Sequence, residues 1–435
     1  MIDMYAEATP ISDALSLEPA GEVTIRGWIH RKRSSGGKIF IVVRDRSGAM
    51  QCVADRSTIG TGSWSSLEPA YLESAIILRG VLVEDPRAPG GREMKVSEAV
   101  VFNSSEQFPI TEYQSTELLL DMRHLWLRSS RMRDIMMARA SIFGYARRFL
   151  DDNGFIEISP PLITKAGGET GANLFELDYF GSKAYMTESS QLYAEAMIYS
   201  LEKVYSLAPS YRAEKSRTVK HLAEYWHLEP EMAFYNNKMS MELQERLVST
   251  IANRLAGEHE GLLKRLNVEI DPLLAIKPPF KRMSYEEAID LLNQKGAKKV
   301  WGDDLGVEEE RLLTEDEENP LFVYNWPKEI KAFYMPVNPD DHRTVLCSDL
   351  QAPGGHGEII GGSERIWNLE ELTARMEELK LKRENYAWYT DLRRFGSVPH
   401  AGFGMGMERV IKWLLRLDHI RDAIPFPRVI NRAYP

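Results

Sequence analysis

Hydrophobic and polar residues alternate over residues 20–102 in the manner of β-strands, with apolar side chains at every second position. The alternation is clearest in residues 23–30 and 39–45, and glycines at 36–37 and 48 mark turns between the strands. Several short strands joined by glycine-containing turns within about 80 residues are typical of small closed barrels. The pattern predicts an N-terminal β-barrel of the oligonucleotide-binding type in residues 1–102.

The periodicity changes after residues 103–125, which are predicted to be a linker. From 131 to 150 apolar residues recur at helical spacing, which predicts a helix that ends at Asn153-Gly154. Further along, strands are separated by long excursions instead of regularly alternating helices. This favours an α+β fold in residues 126–435, with a mostly antiparallel β-sheet flanked by helices, over a doubly wound parallel sheet.

Composition limits the location of the protein. Its 435 residues are 43% hydrophobic and 10% aromatic, which is ordinary for a globular protein of two or three domains. No segment approaches the roughly 18 apolar residues of a membrane span, and the N-terminus shows no targeting pattern. A cytoplasmic protein without a membrane segment is predicted.

The two cysteines, Cys52 and Cys347, stand in unrelated sequence contexts, so both are predicted to be buried apolar side chains.

Positive charge is concentrated in one part of the predicted barrel. The net charge of -10 argues against non-specific binding of polyanions, yet residues 26–46 hold seven basic residues and one acid. The basic residues are Arg26, Arg31, Lys32, Arg33, Lys38, Arg44 and Arg46. Phe40 among them could stack on a base and Gln51 could read a base edge. The charge pattern fits equally well with a solvated rim and a core phenylalanine.

Two arginine-containing segments carry the strongest chemical signal. Residues 211–214 read Tyr-Arg-Ala-Glu between two predicted strands, and residues 402–409 read Gly-Phe-Gly-Met-Gly-Met-Glu-Arg at the start of a helix. Planar guanidinium groups suit phosphate and carboxylate oxygens, and a bent ATP would present its two ends to Arg212 and Arg409. The three glycines of the second segment remove Cβ atoms where a nucleotide would approach closely.

Three segments resemble, in order, the motifs of class II aminoacyl-tRNA synthetases of the aspartyl, asparaginyl and lysyl branch. Residues 131–161 resemble motif 1, residues 205–234 motif 2 and residues 402–428 motif 3. The resemblance covers essentially the whole chain. It implies a catalytic domain on an antiparallel sheet, a homodimer whose interface contains motif 1, and a barrel that binds the tRNA anticodon. The His-Ile-Gly-His stretch of the other synthetase class does not occur in the sequence.

The resemblance implies roles for residues around ATP. Arg212 would bridge the α-phosphate and the amino-acid carboxylate, and Arg409 would bind the γ-phosphate. These two arginines and Glu358 form the expected catalytic set. Glu214 would accept a hydrogen bond from the adenine amino group, and His221 would contact a phosphate. The alternative for each arginine is an ordinary surface salt bridge.

A magnesium site is also implied. Asp349 and Glu358 resemble the acidic pair that binds Mg²⁺ between the phosphates, and magnesium needs only one or two carboxylates besides phosphate oxygens. Mg²⁺ with ATP is therefore the expected cofactor. The intervening segment, residues 350–357, is longer than the aspartyl pattern, and this departure bears on Asp349 more than on Glu358.

The residues expected to bind the amino acid are Glu169, Gln191, Arg212, Glu229 and Arg365. Glu169 would pair with the α-ammonium group, and Arg365 would donate to the side-chain oxygen, which fits aspartate and asparagine equally.

The choice between those two amino acids depends on Ala194 and Glu229. Aspartyl enzymes carry a lysine shortly after a Ser-Pro-Gln-Leu stretch, whereas residues 189–194 read Ser-Ser-Gln-Leu-Tyr-Ala here. Without that cation, Glu229 would repel a substrate carboxylate but accept a hydrogen bond from the asparagine NH₂. The alternative is a structural Glu229 bonded to backbone amides. Asparagine is the expected substrate.

On the barrel, the resemblance implies that Arg33, Phe40 and Gln51 contact the anticodon, with Phe40 stacking and Gln51 reading the middle uridine. The expected reaction uses ATP to join L-asparagine to tRNA(Asn) and releases AMP and pyrophosphate. The rivals are an aspartyl enzyme that tolerates both tRNAs, an asparagine-synthetase-like paralogue, and a tRNA-binding paralogue with an inactive site. The barrel argues against the second rival, and retention of Arg212, Glu214, Glu358 and Arg409 argues against the third.

Overall fold

The computed structural model describes residues 7–111, 113–165, 174–215 and 218–435. The chain divides into two compact units, residues 1–120 and 121–435. Glu169, expected at the α-ammonium, lies outside the described residues.

The first unit is a closed five-stranded barrel with the strand order β1-β2-β3-β5-β4. Its strands are β1 (Glu22–Ser35), β2 (Lys38–Arg44), β3 (Ala49–Asp55), β4 (Ala75–Glu84) and β5 (Arg92–Asn103). Two short helices, α1 (Ile11–Ala14) and α2 (Thr61–Leu67), and a 3₁₀ turn at Pro89–Gly91 accompany them. The inward residues Ile39, Ile41 and Val43 are fully buried, as the alternating pattern requires. The predicted barrel is confirmed.

Three helices follow the barrel strands, and the longest corresponds to the predicted helix at 131–150. They are α3 (Thr116–Asp121), which ends where the second unit begins, α4 (Arg123–Trp126) and α5 (Ser130–Asp152). The Ser129 side chain caps α5 by accepting from the Met132 N–H at 3.3 Å. Gly154 follows the helix with φ of 80°, which glycine adopts without steric cost. Asn153-Gly154 therefore ends the helix as predicted.

An eight-stranded sheet forms the centre of the second unit, with the order β12-β13-β14-β15-β16-β11-β10-β6. Within this sheet only the described pairs β6/β10 and β12/β13 are parallel, so the predicted, mostly antiparallel sheet is confirmed. Its strands are β6 (Ile156–Glu157), β10 (Lys203–Tyr211), β11 (Glu224–Ala233), β12 (Lys281–Ser284), β13 (Leu321–Tyr324), β14 (Cys347–Ala352), β15 (Gly357–Arg365) and β16 (His400–Gly406).

A smaller sheet has the order β7-β9-β8. Its strands are β7 (Ile163–Thr164), β8 (Glu176–Tyr179) and β9 (Ser182–Met186).

Helices flank the large sheet. They are α6 (Gln191–Leu201), α7 (Asn237–Glu258), α8 (Glu260–Arg265), α9 (Asp271–Leu274), α10 (Tyr285–Gln294), α11 (Val307–Thr314), α12 (Leu369–Glu378), α13 (Ala387–Arg394) and α14 (Met407–Leu414), with 3₁₀ turns at Lys328–Ile330, Arg383–Tyr386 and Ile420–Ala423. The largest apolar core packs α5, α7 and α14 against the sheet. Cys52 and Cys347 are buried free thiols, as predicted. Across the described residues, the helices are all too short or too polar to span a membrane.

Candidate active site

The first turn of α14 brings Arg409 into contact with β15. Met407 begins the helix directly after β16, and the Arg409 Nη1 donates to both the carboxylate Oε2 and the backbone oxygen of Glu358, each at 3.1 Å. Burial opposes ionisation of Glu358, but Arg409, Lys331 and Arg212 together lower the pKa of its carboxyl group. Glu358 is therefore an ionised carboxylate among cations.

Two other acids lie close to Glu358. In the β14/β15 pair Asp349 stands opposite Gly361, and a Cβ on Gly361 would be 3.2 Å from the Glu358 Oε1 and 3.5 Å from the Asp349 Oδ1. The two carboxylates therefore lie against the same glycine. The Glu358 backbone N–H also donates to the Glu310 Oε2 at 3.2 Å. We call Glu310, Asp349 and Glu358 the acid cluster.

Burial raises two pKa values in the acid cluster. It raises the pKa of Asp349 to about 6, with Glu358 and Glu310 adding to the effect and Lys331, 2.7 Å away, opposing it. Burial and Glu358 also raise the pKa of Glu310, although Lys220 contacts its carboxylate at 2.6 Å. The three carboxylates thus repel one another in a site whose own cations only partly compensate them.

The segment between β10 and β11 carries three predicted site residues. The backbone N–H of Arg212 donates to the backbone oxygen of Ala223 at 2.9 Å. The guanidinium carbon of Arg212 lies 5.4 Å from the centroid of the Tyr225 ring. Arg212 and Glu214 are exposed. His221 contacts the Thr218 hydroxyl through Nδ1, and burial together with Arg409 lowers the pKa of its imidazole.

Two cavities meet at Arg212. The first, about 70 Å³, contains Arg212, His221, Glu358 and Arg409 in its wall. The second is about 170 Å³. Its charged and amide-bearing lining residues are Gln191, Arg212, His227, Glu229, Glu231, Lys331, Asp349, Glu358 and Arg365. Arg212 and Glu358 line both cavities, so a ligand in one is brought beside a ligand in the other.

Glu229 lines the second cavity but is also firmly bonded within the protein. Its Oε2 accepts from the Ser190 backbone N–H at 2.8 Å and from the Ser190 hydroxyl at 2.6 Å, while its Oε1 accepts from the Ser189 hydroxyl. Burial would raise the pKa of Glu229, but His227 and the two serines lower it to about 2. Glu229 is therefore bonded to a backbone amide, as the alternative stated from sequence has it. Its carboxylate also contributes negative charge to the cavity wall.

Arg365 is held by Glu231 in a buried two-point ion pair. Its Nε and Nη2 each donate to a Glu231 oxygen at 3.0 Å, and its Nη1 donates to the Ser363 hydroxyl at 2.7 Å. Gly402 makes this arrangement possible, because a Cβ at that position would collide with the Glu231 carboxylate. The guanidinium group therefore faces the cavity in a fixed orientation.

A second buried network involves Gln191 and Glu195. The Gln191 Nε2 donates to the Glu195 Oε1 at 3.0 Å, while Arg393 and His400 contact the Glu195 Oε2 at 2.6 and 2.9 Å. The Tyr389 hydroxyl donates to the same carboxylate. Burial would raise the pKa of Glu195, but Arg393 and His400 hold it well below its usual range.

Two of the motif glycines make room for protein side chains. A Cβ on Gly404 would collide with the His227 ring, as one on Gly402 would with Glu231. These two glycines therefore make room for side chains of the neighbouring strand β11. Both of those side chains line the second cavity. Gly404 and Gly406 also line the first cavity, so the close approach of a nucleotide stays a prediction there.

Sequence reasoning missed Lys331, Glu310 and Lys220. Lys331 lines the second cavity and pairs with Asp349, so the cavity is not without a lysine as the Ala194 argument assumed. Ala194 itself packs in a small apolar cluster with Ile198, Val204 and Ala233. Lys220 directly precedes the predicted His221 in the motif 2 segment, so its position in sequence could have indicated it. Lys331 and Glu310 lie outside the three motifs, and only the tertiary packing brings them to the site.

On the barrel, the three predicted anticodon residues share one face. Arg33 is paired with Phe40 across β1 and β2, with its guanidinium carbon 4.4 Å from the ring centroid. Gln51 on β3 stands opposite Val42, two residues from Phe40, and its Nε2 donates to the Glu93 Oε2 at 2.7 Å. The barrel therefore presents a cation, a half-buried aromatic ring and an amide together.

Two of the seven basic residues in residues 26–46 contact other groups of the barrel unit and do not add charge to its surface. Lys32 Nζ donates to the backbone oxygens of Leu67, Glu68 and Ala70 at 2.7 to 2.8 Å, which lie at the C-terminal end of α2 and just beyond it. Arg44 forms a buried 2.6 Å ion pair with Glu73. The basic surface is correspondingly smaller than the sequence suggested.

Comparison with known proteins gives the family. The tRNA synthetases class II (D, K and N) family matches residues 115–430, and the OB-fold nucleic acid binding domain family matches residues 23–102. The asparagine–tRNA ligase of Thermoplasma acidophilum is 46% identical over 414 residues, 95% of this chain and 96% of that protein. That of Thermococcus kodakarensis is 46% identical over 420 residues, again 95% and 96%.

Solved structures agree. The crystal structure of asparaginyl-tRNA synthetase from Pyrococcus horikoshii complexed with asparaginyl-adenylate has a TM-score of 0.95 and 43% identity, covering 99% of this chain and 100% of that one. The chain belongs to the class II tRNA synthetases of the aspartyl, lysyl and asparaginyl group. Within that group it belongs to the asparaginyl-tRNA synthetase family, and the resemblance stated from sequence is confirmed.

Proposed function

We propose that the protein attaches L-asparagine to tRNA(Asn) in two steps through asparaginyl-adenylate. The observation that carries the proposal is the position of Arg212, which lines both cavities. ATP occupies the first cavity and asparagine the second. A guanidinium group at their junction can bind the α-phosphate and the amino-acid carboxylate at once, which holds the reacting atoms together.

In the first step the α-carboxylate oxygen of asparagine attacks the α-phosphorus of ATP. A new oxygen–phosphorus bond forms, the bond to the β-phosphate oxygen breaks, and pyrophosphate leaves. Arg212 stabilises charge at the α-phosphate, and Arg409 and His221 contact the outer phosphates, while Glu214 accepts from the adenine amino group. Positioning and charge neutralisation supply most of the catalysis in such transfers.

In the second step a ribose hydroxyl at the 3′ end of tRNA attacks the adenylate carbonyl carbon. An ester bond to the tRNA forms and AMP leaves. The barrel selects the tRNA through the anticodon, with Phe40 stacking on a base, Gln51 reading the middle uridine and Arg33 contacting the backbone or a base.

The acid cluster fits a magnesium ion bound with ATP. Its three carboxylates, of which Asp349 is buried and the other two are partly buried, repel one another, and a divalent cation would relieve this repulsion better than the lysines alone. Asp349 and Glu358 would hold the ion together with phosphate oxygens. The ion would neutralise charge on the leaving pyrophosphate.

Asparagine is favoured over aspartate by the charge of the cavity wall. Glu229 is ionised and anchored there, so a substrate carboxylate beside it would be repelled, whereas a carboxamide NH₂ can donate to it. Arg365 then donates to the carboxamide oxygen. Lys331 would attract a carboxylate, but Asp349 pairs with it at 2.7 Å.

Pyrophosphate exchange with each amino acid tests the proposal directly. We expect ATP-pyrophosphate exchange with L-asparagine and little or none with L-aspartate. Exchange driven by aspartate would establish the aspartyl rival. Formation of free asparagine from aspartate and ammonia would establish the synthetase-like one.

We further propose a homodimer formed through the motif 1 segment. Met137 on α5 and Ile156 on β6 are large apolar side chains that are 40% and 46% exposed. Light scattering should give a mass about twice the 49.7 kDa of the chain. Met137→Glu and Ile156→Glu together should yield monomer, whereas a monomeric parent protein would refute the proposal.

A cytoplasmic location stays a prediction from sequence.

A further inference from the structure

The side-chain amide of Gln191 is held in one orientation at the wall of the second cavity. Its Nε2 donates to the Glu195 Oε1 at 3.0 Å, and no described residue donates to its Oε1. Gln191 lines the cavity, and its Oε1 is not among the buried polar atoms that lack a partner. The carbonyl end of the amide is thus the end that a ligand in the second cavity can reach.

Glu195 decides this orientation because an ionised carboxylate can only accept hydrogen bonds. If the amide rotated by half a turn, two acceptor oxygens would face each other in a fully buried position. An unmade buried hydrogen bond of that kind is costly. The Gln191 NH₂ group is therefore confined to the Glu195 side.

Glu195 is itself held in place by three other side chains. Arg393 donates at 2.6 Å, Tyr389 at 2.8 and 2.9 Å, and His400 lies at 2.9 Å. These residues come from α13 and β16, while Glu195 and Gln191 occupy adjacent turns of α6. The carboxylate cannot turn away from Gln191 without leaving these partners unsatisfied.

We propose that Glu195 is a positioning residue that sets the Gln191 amide with its carbonyl oxygen toward the amino acid. The second cavity then presents a neutral acceptor to an N–H group of the bound substrate, either the α-ammonium or the carboxamide NH₂. This inference rests on the proposed function and deepens it, since Glu195 acts on the substrate only through Gln191.

Glu195→Gln is the main test. A glutamine at this position keeps an acceptor oxygen for Arg393 and can donate through its own NH₂ to the Gln191 oxygen, so Gln191 would turn its NH₂ toward the substrate. In pyrophosphate exchange we expect the asparagine KM to rise about 10- to 100-fold, equivalent to one lost hydrogen bond. The KM for ATP should stay within about twofold. Asparagine-dependent pyrophosphate exchange by the unsubstituted protein separately tests the proposed function.

A second variant keeps the proposal testable if Glu195→Gln does not fold. Glu195→Asp keeps the charge beside Arg393 and His400 but is one methylene shorter, so it should also lose its hold on Gln191 and raise the asparagine KM. Glu242→Gln is the matched control, because it makes the same change of side chain at an exposed acid on α7 that lines neither cavity. Its asparagine KM should stay within about threefold of the parent value.

The inhibition constant of L-aspartate distinguishes the two possible N–H groups. If the Gln191 oxygen binds the α-ammonium, the constant rises together with the asparagine KM in Glu195→Gln. If it binds the carboxamide, only the asparagine KM rises. An unchanged asparagine KM in a folded Glu195 variant would overturn the proposal. So would an equal rise in Glu242→Gln, or a joint rise of the asparagine and ATP KM values.

Discussion

At the scale of single residues, Glu229 bears most directly on the choice between a carboxamide and a carboxylate. Its oxygens accept from Ser189 and Ser190, and His227 lies 3.3 Å from its Oε1. An ion that is buried and bonded in this way keeps its charge at neutral pH. A second carboxylate placed beside it would be buried next to a like charge, in a cavity where Arg365 and Lys331 already pair with Glu231 and Asp349, which is unfavourable.

Glu229→Gln should therefore destabilise the protein in a pH-dependent way. The folded-state pKa of Glu229, about 2, lies below its ordinary value of 4.5, so the ionised group contributes stability that is present above pH 4.5 and lost as the pH falls toward 2. We expect the free energy of unfolding at pH 7 to fall by about 1–3 kcal/mol. Urea unfolding should show that the difference from the parent shrinks by pH 3.

Glu242→Gln serves as the control for that measurement, since Glu242 is an exposed acid on α7. It should match the parent at both pH values. Equal stability of Glu229→Gln and the parent at pH 7 would show that the anchored charge is not stabilising. The same variant should also discriminate less well against aspartate in pyrophosphate exchange, because the wall loses its negative charge.

Arg409→Ala should abolish amino-acid activation and leave tRNA binding nearly unchanged. Arg409 lines the first cavity beside Glu358, and loss of a charged group that stabilises the transition state costs about 100- to 1,000-fold in rate. Pyrophosphate exchange measures the loss, and filter binding measures tRNA affinity. Arg416→Ala, which removes an arginine two residues beyond α14, should exchange normally. Parent-like exchange by Arg409→Ala would refute its assignment.

At the scale of secondary-structure elements, the sequence predicts what depends on neighbours along the chain. Helix α5 was predictable because its apolar spacing and its Asn153-Gly154 end are local signals. The roles of the glycines at 402 and 404 were not, because the atoms they avoid belong to β11, far away in sequence. Lys331 and Glu310 were missed for the same reason, since the loop after the 3₁₀ turn at Lys328–Ile330 brings Lys331 to Asp349 and α11 brings Glu310 to Glu358.

Lys32→Ala should destabilise the barrel by removing the cap of α2. Lys32 Nζ donates to three carbonyl oxygens at the end of that helix, and nothing else in a short helix replaces a positive charge at its C-terminus. We expect a loss of about 1–2 kcal/mol in the free energy of unfolding, measured by denaturant titration. Lys38→Ala is the matched control, because Lys38 makes only an exposed pair with Asp55. Equal stability of the two variants would argue against the capping role.

At the scale of the whole molecule, the division into a barrel unit and a sheet unit separates recognition of tRNA from activation of the amino acid. From sequence, the change from strand to helix periodicity predicts a boundary within residues 103–125, and the structure divides the chain between residues 120 and 121. The sequence overestimated the basic surface of the barrel, since Lys32 and Arg44 bind within the unit. Charge counted along a sequence does not show which charges face outward.

Phe40→Ala should separate the two activities. The ring lies half-buried beside Arg33 on the face that also carries Gln51, and stacking of a base on an aromatic side chain contributes about 1–3 kcal/mol. We expect the KM for tRNA in aminoacylation to rise about 10- to 100-fold, with pyrophosphate exchange unchanged because both cavities belong to the other unit.

Tyr71→Ala removes an aromatic ring that is 55% exposed elsewhere on the barrel unit, and should leave both reactions unchanged. An equal effect of the two substitutions would indicate a general loss of barrel structure, and an unchanged tRNA KM in Phe40→Ala would remove this residue from the anticodon site.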